Sequence, residues 1–352
     1  MNKLVRKIFQ GYEPYQSSFE PYDIVLNANE NPRNMLLELP KEELAALFSL
    51  DYNRYPEGAN LQLRKAYASF LGEGYTYENI LAGNGSDEII RMLSDVFLEN
   101  GEWAVACEPT FSMYRYSAEL AKGRYFGIAP KDETLRPDVE GLIAAANEKH
   151  AKLVYLCTPN NPTGYQWPQE DVRQVIARTE GIVVLDEAYV EFSGDSLTSL
   201  ALENKRVVAL RTLSKAFGLA GARVGFAVGQ KETIDALSLA KAAYNVNDFS
   251  QAAGALVLSH PERMREQAAR LTAEREYVEE RLAELEGLRV YPSCTNFLLV
   301  KTPKAGRIME ICRERGILLR DYGGEYQNFL RLSMGEREEN EKVIQIFREV
   351  HK

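Results

Sequence analysis

The segment VVALRTLSKAFGLAGARVGFAV, residues 207–228, decides how the rest of the chain is read. Two apolar runs, VVALR (207–211) and VGFAV (224–228), enclose a loop rich in glycine and alanine. Short apolar runs that do not alternate with polar residues predict strands buried on both faces. Toward the N-terminus the same kind of run recurs at IVVLD (182–186), LVYLC (153–157) and WAVAC (103–107). Amphipathic stretches separate several of them; residues 168–178 carry Val172, Val175 and Ile176 at helical spacing. Strands alternating with helices predict an α/β fold with a mostly parallel sheet covered on both faces.

Toward the C-terminus the character changes. Residues 247–288 are charged and helical in period, and a long helix is expected over 261–285, with Met264, Ala268, Leu271, Tyr277 and Leu282 turned inward. LRVYPS, TNFLLV, a helix near 304–315, GILLR, FLRLSM and a helix over 336–351 then suggest a smaller α+β domain. The expected division is an N-terminal segment 1–35, a large domain 36–250 and a small domain 251–352.

Composition narrows the function. At 352 residues, 45% apolar and 26% charged, the chain has material for a sizeable core and no signature of disorder. The formal charge of −9 disfavours non-specific binding to nucleic acid or an anionic membrane. No apolar stretch reaches the length of a membrane span and no signal peptide is recognisable, so a cytoplasmic location is expected. The four cysteines lack C-x-x-C spacing; Cys107 and Cys157 end strand-like runs and read as buried, reduced thiols. With three scattered histidines, no metal site is expected.

Ligands of open α/β sheets bind beyond the carboxyl ends of the strands, and several polar residues fall there. In GNGSDE (83–88), Ser86 can cap a following helix, and the amides of Gly85, Ser86 and Asp87 would face an anion. Asn161 lies in the loop CTPNNPTG (157–164), and Asp186 and Tyr189 lie at the end of IVVLDEAYVEF (182–192). A carboxylate such as Asp186 is costly at a buried strand end unless paired. Lys215 is flanked by Thr212 and Ser214, with Arg223 eight residues on: an amine able to condense with a carbonyl, beside donors suited to phosphate. Each feature alone also fits a plain capped helix, a loop, a turn or a surface lysine. Together and in this order they match the phosphate, phenolic oxygen, pyridine nitrogen and aldehyde of pyridoxal 5′-phosphate.

With these motifs the chain resembles fold-type I pyridoxal-phosphate enzymes, and most of all the histidinol-phosphate aminotransferase family. PYQS (14–17), LNANENP (26–32), RYP (54–56), PTFSMY (109–114), DEAYVEF, TNF (295–297) and FLRLSMG (329–335) carry the likeness across the whole chain. The resemblance implies a large domain with a mostly parallel seven-stranded sheet between helices, and a smaller α+β domain. It implies that Lys215 holds the cofactor covalently, that Asp186 pairs with the pyridine nitrogen, and that Asn161 and Tyr189 hold the phenolic oxygen. The phosphate would rest on Gly85, Ser86, Asp87, Thr212, Ser214 and Arg223. Phe111 would stack on the cofactor ring where the family often has tyrosine. Arg331 would bind the acidic end of the substrate, and Tyr15 would close over it. Tyr55 would reach the phosphate of a neighbouring subunit, which implies a homodimer with shared sites, the N-terminal segment packing against the small domain and the partner. An aromatic amino acid aminotransferase and a threonine-phosphate decarboxylase-like lyase fit the same cofactor site. A regulator's effector-binding domain fits less well, because no DNA-binding module accompanies it.

Overall fold

The computed structural model describes residues 4–6, 9 and 21–352. Strand β1 (Ile24–Val25) opens the described chain. Seven strands then build the main sheet: β2 (Ile80–Asn84), β3 (Trp103–Cys107), β4 (Arg124–Ile128), β5 (Leu153–Cys157), β6 (Ile182–Asp186), β7 (Val207–Thr212) and β8 (Val224–Val228). Their order is β2-β8-β7-β6-β5-β3-β4, parallel throughout except for β8, which pairs antiparallel with both of its neighbours.

Successive side chains of a strand point to opposite faces, and the apolar runs sort accordingly. Val183 and Leu185 enter one hydrophobic cluster and Val184 the other, while Val154 and Tyr155 divide the same way. Both faces are therefore dry, which is why the runs show no alternation in sequence. It is also why VGFAV gives no hint that β8 is reversed: a strand buried on both sides looks alike in either direction.

The C-terminal part adds β9 (Arg289–Val290), β10 (Phe297–Lys301), β11 (Ile317–Leu318), β12 (Arg320–Asp321) and β13 (Phe329–Ser333). Four of these form an antiparallel sheet in the order β12-β13-β10-β9, and β11 pairs in parallel with β1. The long helix spans Pro261–Ala283, with proline at its start, and buries Met264, Ala268, Leu271 and Leu282. Tyr277, expected on that face, is only partly buried. The other two expected helices are Ala305–Glu314 and Arg337–His351. Beyond β1 the chain lies against the small sheet: the Ser333 amide donates to the Leu26 carbonyl at 3.0 Å. All four cysteines are free, and Cys107 is half-buried rather than buried.

Behind the carboxyl edge of β6 lies a closed ionic network. Arg211 meets Glu187 at 3.2 Å and Glu191 at 2.7 Å, with all three side chains almost fully buried. Glu187 also accepts from the hydroxyls of Ser196 and Thr198 and from the Leu197 amide. Removing the guanidinium strands two buried carboxylates, so Arg211→Met should cost about 3–5 kcal/mol in unfolding free energy. Arg178→Met, which breaks only the exposed pair with Glu140, should leave stability nearly unchanged, because solvent screens such a pair. Equal losses for the two variants in denaturant titrations would contradict this ranking.

Candidate active site

Strand register brings the sequence motifs to one edge. Cys157 of β5 stands beside Asp186 of β6, and Thr212 at the end of β7 stands beside Gly225 of the reversed β8. Because β8 runs backward, its first residues reach this same edge, and Arg223, immediately before it, joins the group. The helix Gly85–Phe97 begins here as well.

One end of the site is a cup of donors. Gly85, Ser86 and Asp87 form the first turn of the helix, so their amides lack partners within it. Ser86 does not cap the helix as expected: it lies inside it, and Asn84 occupies the cap position without a side-chain bond. Gly85 has φ +76°, and an added Cβ there would run into the Arg223 guanidinium. A Cβ at Gly225 would strike the Ser86 amide, so both glycines let the helix start close on the sheet. Arg223 donates to Asp87 at 3.0 Å and to the Ser214 hydroxyl at 3.4 Å. The Ser214 amide donates to the Thr212 hydroxyl, which in turn donates onward to Ser214 Oγ or the Val224 carbonyl.

At the centre stands Lys215, whose Nζ donates to the Ala28 carbonyl at 2.8 Å and lies 5.8 Å from the Tyr189 ring centroid. Burial lowers the pKa of the amine to about 8, the positive charges of Arg331 and Arg223 assisting and Glu30 and Asp87 opposing. Asp186 is buried at 2% exposure. Its Oδ2 accepts from the Tyr114 hydroxyl at 2.6 Å and its Oδ1 from the Ala188 amide at 3.2 Å. Burial raises this carboxyl to about 6, while those two donors restrain the rise. No cation pairs with Asp186 among the described residues. Tyr114 stacks on Tyr155 at 4.3 Å and takes the edge of Phe111 at 5.8 Å, so one side chain touches both Asp186 and the expected stacking ring.

The far end carries Arg331, buried in the middle of β13. It donates to Asn161 Oδ1 at 2.5 Å and to the Asn27 carbonyl at 2.6 Å, and its Nε has no partner. Tyr189 accepts at its hydroxyl from Asn29 Nδ2 at 3.0 Å. The structure thus brings together Gly85, Ser86, Asp87, Asn161, Asp186, Tyr189, Thr212, Ser214, Lys215, Arg223 and Arg331, with Phe111 reaching the group through Tyr114. Tyr55 does not join them: it is exposed and stacks on Tyr244 at 4.7 Å. Tyr15 lies outside the described residues.

Sequence reading did not single out Tyr114, Asn29 or the carbonyls of Asn27 and Ala28. PTFSMY and LNANENP held them, but their partners lie from 72 to 304 residues away in the chain. Among the described residues no three or more His, Cys, Asp or Glu side chains converge as a metal site would require, and no helix is long and apolar enough to cross a membrane.

The model of the family described as aminotransferase class I and II matches residues 22–347. The chain is 39% identical over 337 residues to a histidinol-phosphate aminotransferase of Thermococcus kodakarensis, with 95% of each chain covered. It is 34% identical over 345 residues to one of Clostridium novyi, covering 98% of this chain and 96% of that one. In structure it is similar to the histidinol-phosphate aminotransferase of Sinorhizobium meliloti, solved in complex with pyridoxal 5′-phosphate. That match has a TM-score of 0.86 and 26% identity, and covers 98% of this chain and 97% of the other.

Proposed function

Because the chain belongs to the family of class I and II aminotransferases, we propose that it moves the amino group of histidinol phosphate to 2-oxoglutarate, in histidine biosynthesis in the cytoplasm. The observation that carries this reading is the placement of Lys215, an amine of lowered pKa between a cup of anion donors and the buried guanidinium of Arg331.

The residues present suit pyridoxal 5′-phosphate. The first-turn amides of Gly85, Ser86 and Asp87, the hydroxyls of Thr212 and Ser214, and Arg223 would hold the phosphate, at a turn where Gly85, lacking a Cβ, lets the Arg223 guanidinium close in. Asp186 has donors but no cation, the condition a protonated pyridine nitrogen would satisfy. Bound there, the cofactor supplies an aldehyde to carry the amino group and a ring that accepts the electrons released at the substrate Cα.

The chain does the rest. Lys215 would hold the cofactor between turnovers, and its freed Nζ would take up and later return the substrate Cα proton. Asp186 would keep a proton on the ring nitrogen, Asn161 and Tyr189 would hold the phenolic oxygen, and Phe111 would cover the ring face. Arg331 would bind the anionic end of each substrate in turn. Exposed Tyr55 would reach the phosphate of a second subunit, so the working enzyme would be a homodimer with shared sites.

Tyr114 has a measurable part in this scheme. Tyr114→Phe keeps the ring stack and removes the donor to Asp186, so the carboxyl rises further above its ordinary range. A carboxylate is lost as pH falls through its pKa, so the acidic limit of the pH profile for cofactor binding by cofactor-free protein should move up by about one pH unit. A superimposable profile would contradict the role of that hydrogen bond.

An amine-donor screen on cofactor-loaded protein tests the substrate. With 2-oxoglutarate as acceptor, histidinol phosphate should exceed phenylalanine by at least about a hundredfold in kcat/KM. Preference for phenylalanine would make the enzyme an aromatic aminotransferase. Release of carbon dioxide from threonine phosphate would make it a lyase.

A further inference from the structure

Residues 27–29 of the LNANENP segment each bond to a different functional side chain. The Asn27 carbonyl accepts from Arg331, the Ala28 carbonyl accepts from Lys215, and the Asn29 side chain donates to Tyr189. The first two contacts are acceptors for cationic donors. The third differs, because it fixes the direction of a hydroxyl proton.

Asn29 is 1% exposed, and its backbone sits in the left-handed region at φ +55°, which asparagine tolerates better than most residues. Its hydrogen bonds favour one orientation of the carboxamide. The Asn29 amide donates to Ser333 Oγ at 2.8 Å, so the Ser333 hydroxyl has its own proton left to give, and it lies 3.0 Å from Asn29 Oδ1. The Asn29 carbonyl is held from the other side by Asn296 Nδ2 at 3.1 Å. With Oδ1 committed as acceptor, Nδ2 faces Tyr189 Oη at 3.0 Å as a donor. Tyr189 must then accept there, and its proton is free to point elsewhere. With the carboxamide swapped, Nδ2 would donate to Ser333 Oγ, and the buried serine proton would lose the one acceptor it has among the described residues.

We propose that Asn29 is a positioning residue for the reaction: through the chain from Ser333 to Asn29 to Tyr189 it aims the Tyr189 proton at the phenolic oxygen of the bound cofactor. The inference rests on the cofactor reading above and extends it from the residue that touches the ring to the device that orients it. The small sheet takes part, since Ser333 belongs to β13, two residues from the substrate anchor Arg331.

The test is spectroscopic and independent of turnover. Protein loaded with pyridoxal 5′-phosphate has a visible band that titrates with the proton shared between the lysine linkage and the phenolic oxygen. A donor aimed at that oxygen favours its ionised form and lowers the midpoint. Asn29→Gly removes the carboxamide while tolerating φ +55°, and should raise the midpoint by about one pH unit, a tenfold gain in proton affinity. Ser333→Ala, which deletes one oxygen and leaves the backbone alone, should move it the same way by less, and serves if Asn29→Gly does not fold. Tyr189→Phe should give the largest rise. Wild-type midpoints for Asn29→Gly and Ser333→Ala beside a shifted Tyr189→Phe would overturn the proposal and leave the cofactor reading intact. An unshifted Tyr189→Phe would instead remove the contact on which both depend.

Discussion

Replacing Lys215 with alanine is expected to lower amino-group transfer by at least about a thousandfold while leaving cofactor affinity measurable, because the variant loses the covalent anchor and the proton carrier together. The cup formed by Gly85, Ser86, Asp87, Thr212, Ser214 and Arg223 is untouched by the change and still offers its donors to a phosphate. Lys215→Arg should be as inactive as Lys215→Ala, since a guanidinium keeps its proton and cannot serve as the base. A small primary amine added to Lys215→Ala should recover part of the rate. The lysine pKa of about 8 adds a pH signature. Burial favours the neutral amine, so capture of added cofactor by wild-type protein should accelerate from pH 7 to 9 and then level off. A rate independent of pH over that range, or an alanine variant within tenfold of wild type, would contradict the assignment.

Arg331→Ala is expected to impair both half-reactions alike. The guanidinium is buried and already donates to Asn161 and the Asn27 carbonyl, while its Nε has no partner. An anion arriving here gains a charge-assisted, two-point contact with a buried guanidinium. Losing such a contact typically costs about 2–5 kcal/mol, or roughly 30- to 5,000-fold in kcat/KM. Arg331→Lys keeps the charge but not the planar fork, and should recover only part of the loss. Single-turnover measurements separate the halves: donor with the aldehyde form of the enzyme, 2-oxoglutarate with the aminated form. An unchanged rate in either half would mean that the two substrates do not share this anchor.

How far the sequence could be read follows from what each feature depends on. The strands β3, β5, β6, β7 and β8 were visible because runs such as IVVLD owe their composition to burial on two faces, a local property. Lys215, Asp186 and the GNGSDE turn were visible because they follow such runs, where α/β sheets place ligands. Reversal of β8 left no trace, since a dry strand has no polar face to betray its direction. Tyr114 could not be assigned a role, because nothing near it in sequence marks its bond to Asp186. The same holds for Asn29, whose partners Ser333 and Tyr189 are supplied by strands far along the chain. Ser86 misled for a different reason: serine three residues before an apolar helical run reads as a cap, but the helix starts at Gly85, two residues earlier than a Ser86 cap implies.

The account depends on a bond between one lysine and one aldehyde. Holoprotein reduced with borohydride, digested and mapped by mass spectrometry should carry a single pyridoxyl group per chain, on the peptide containing Lys215. No adduct, or an adduct confined to another lysine, would contradict the account.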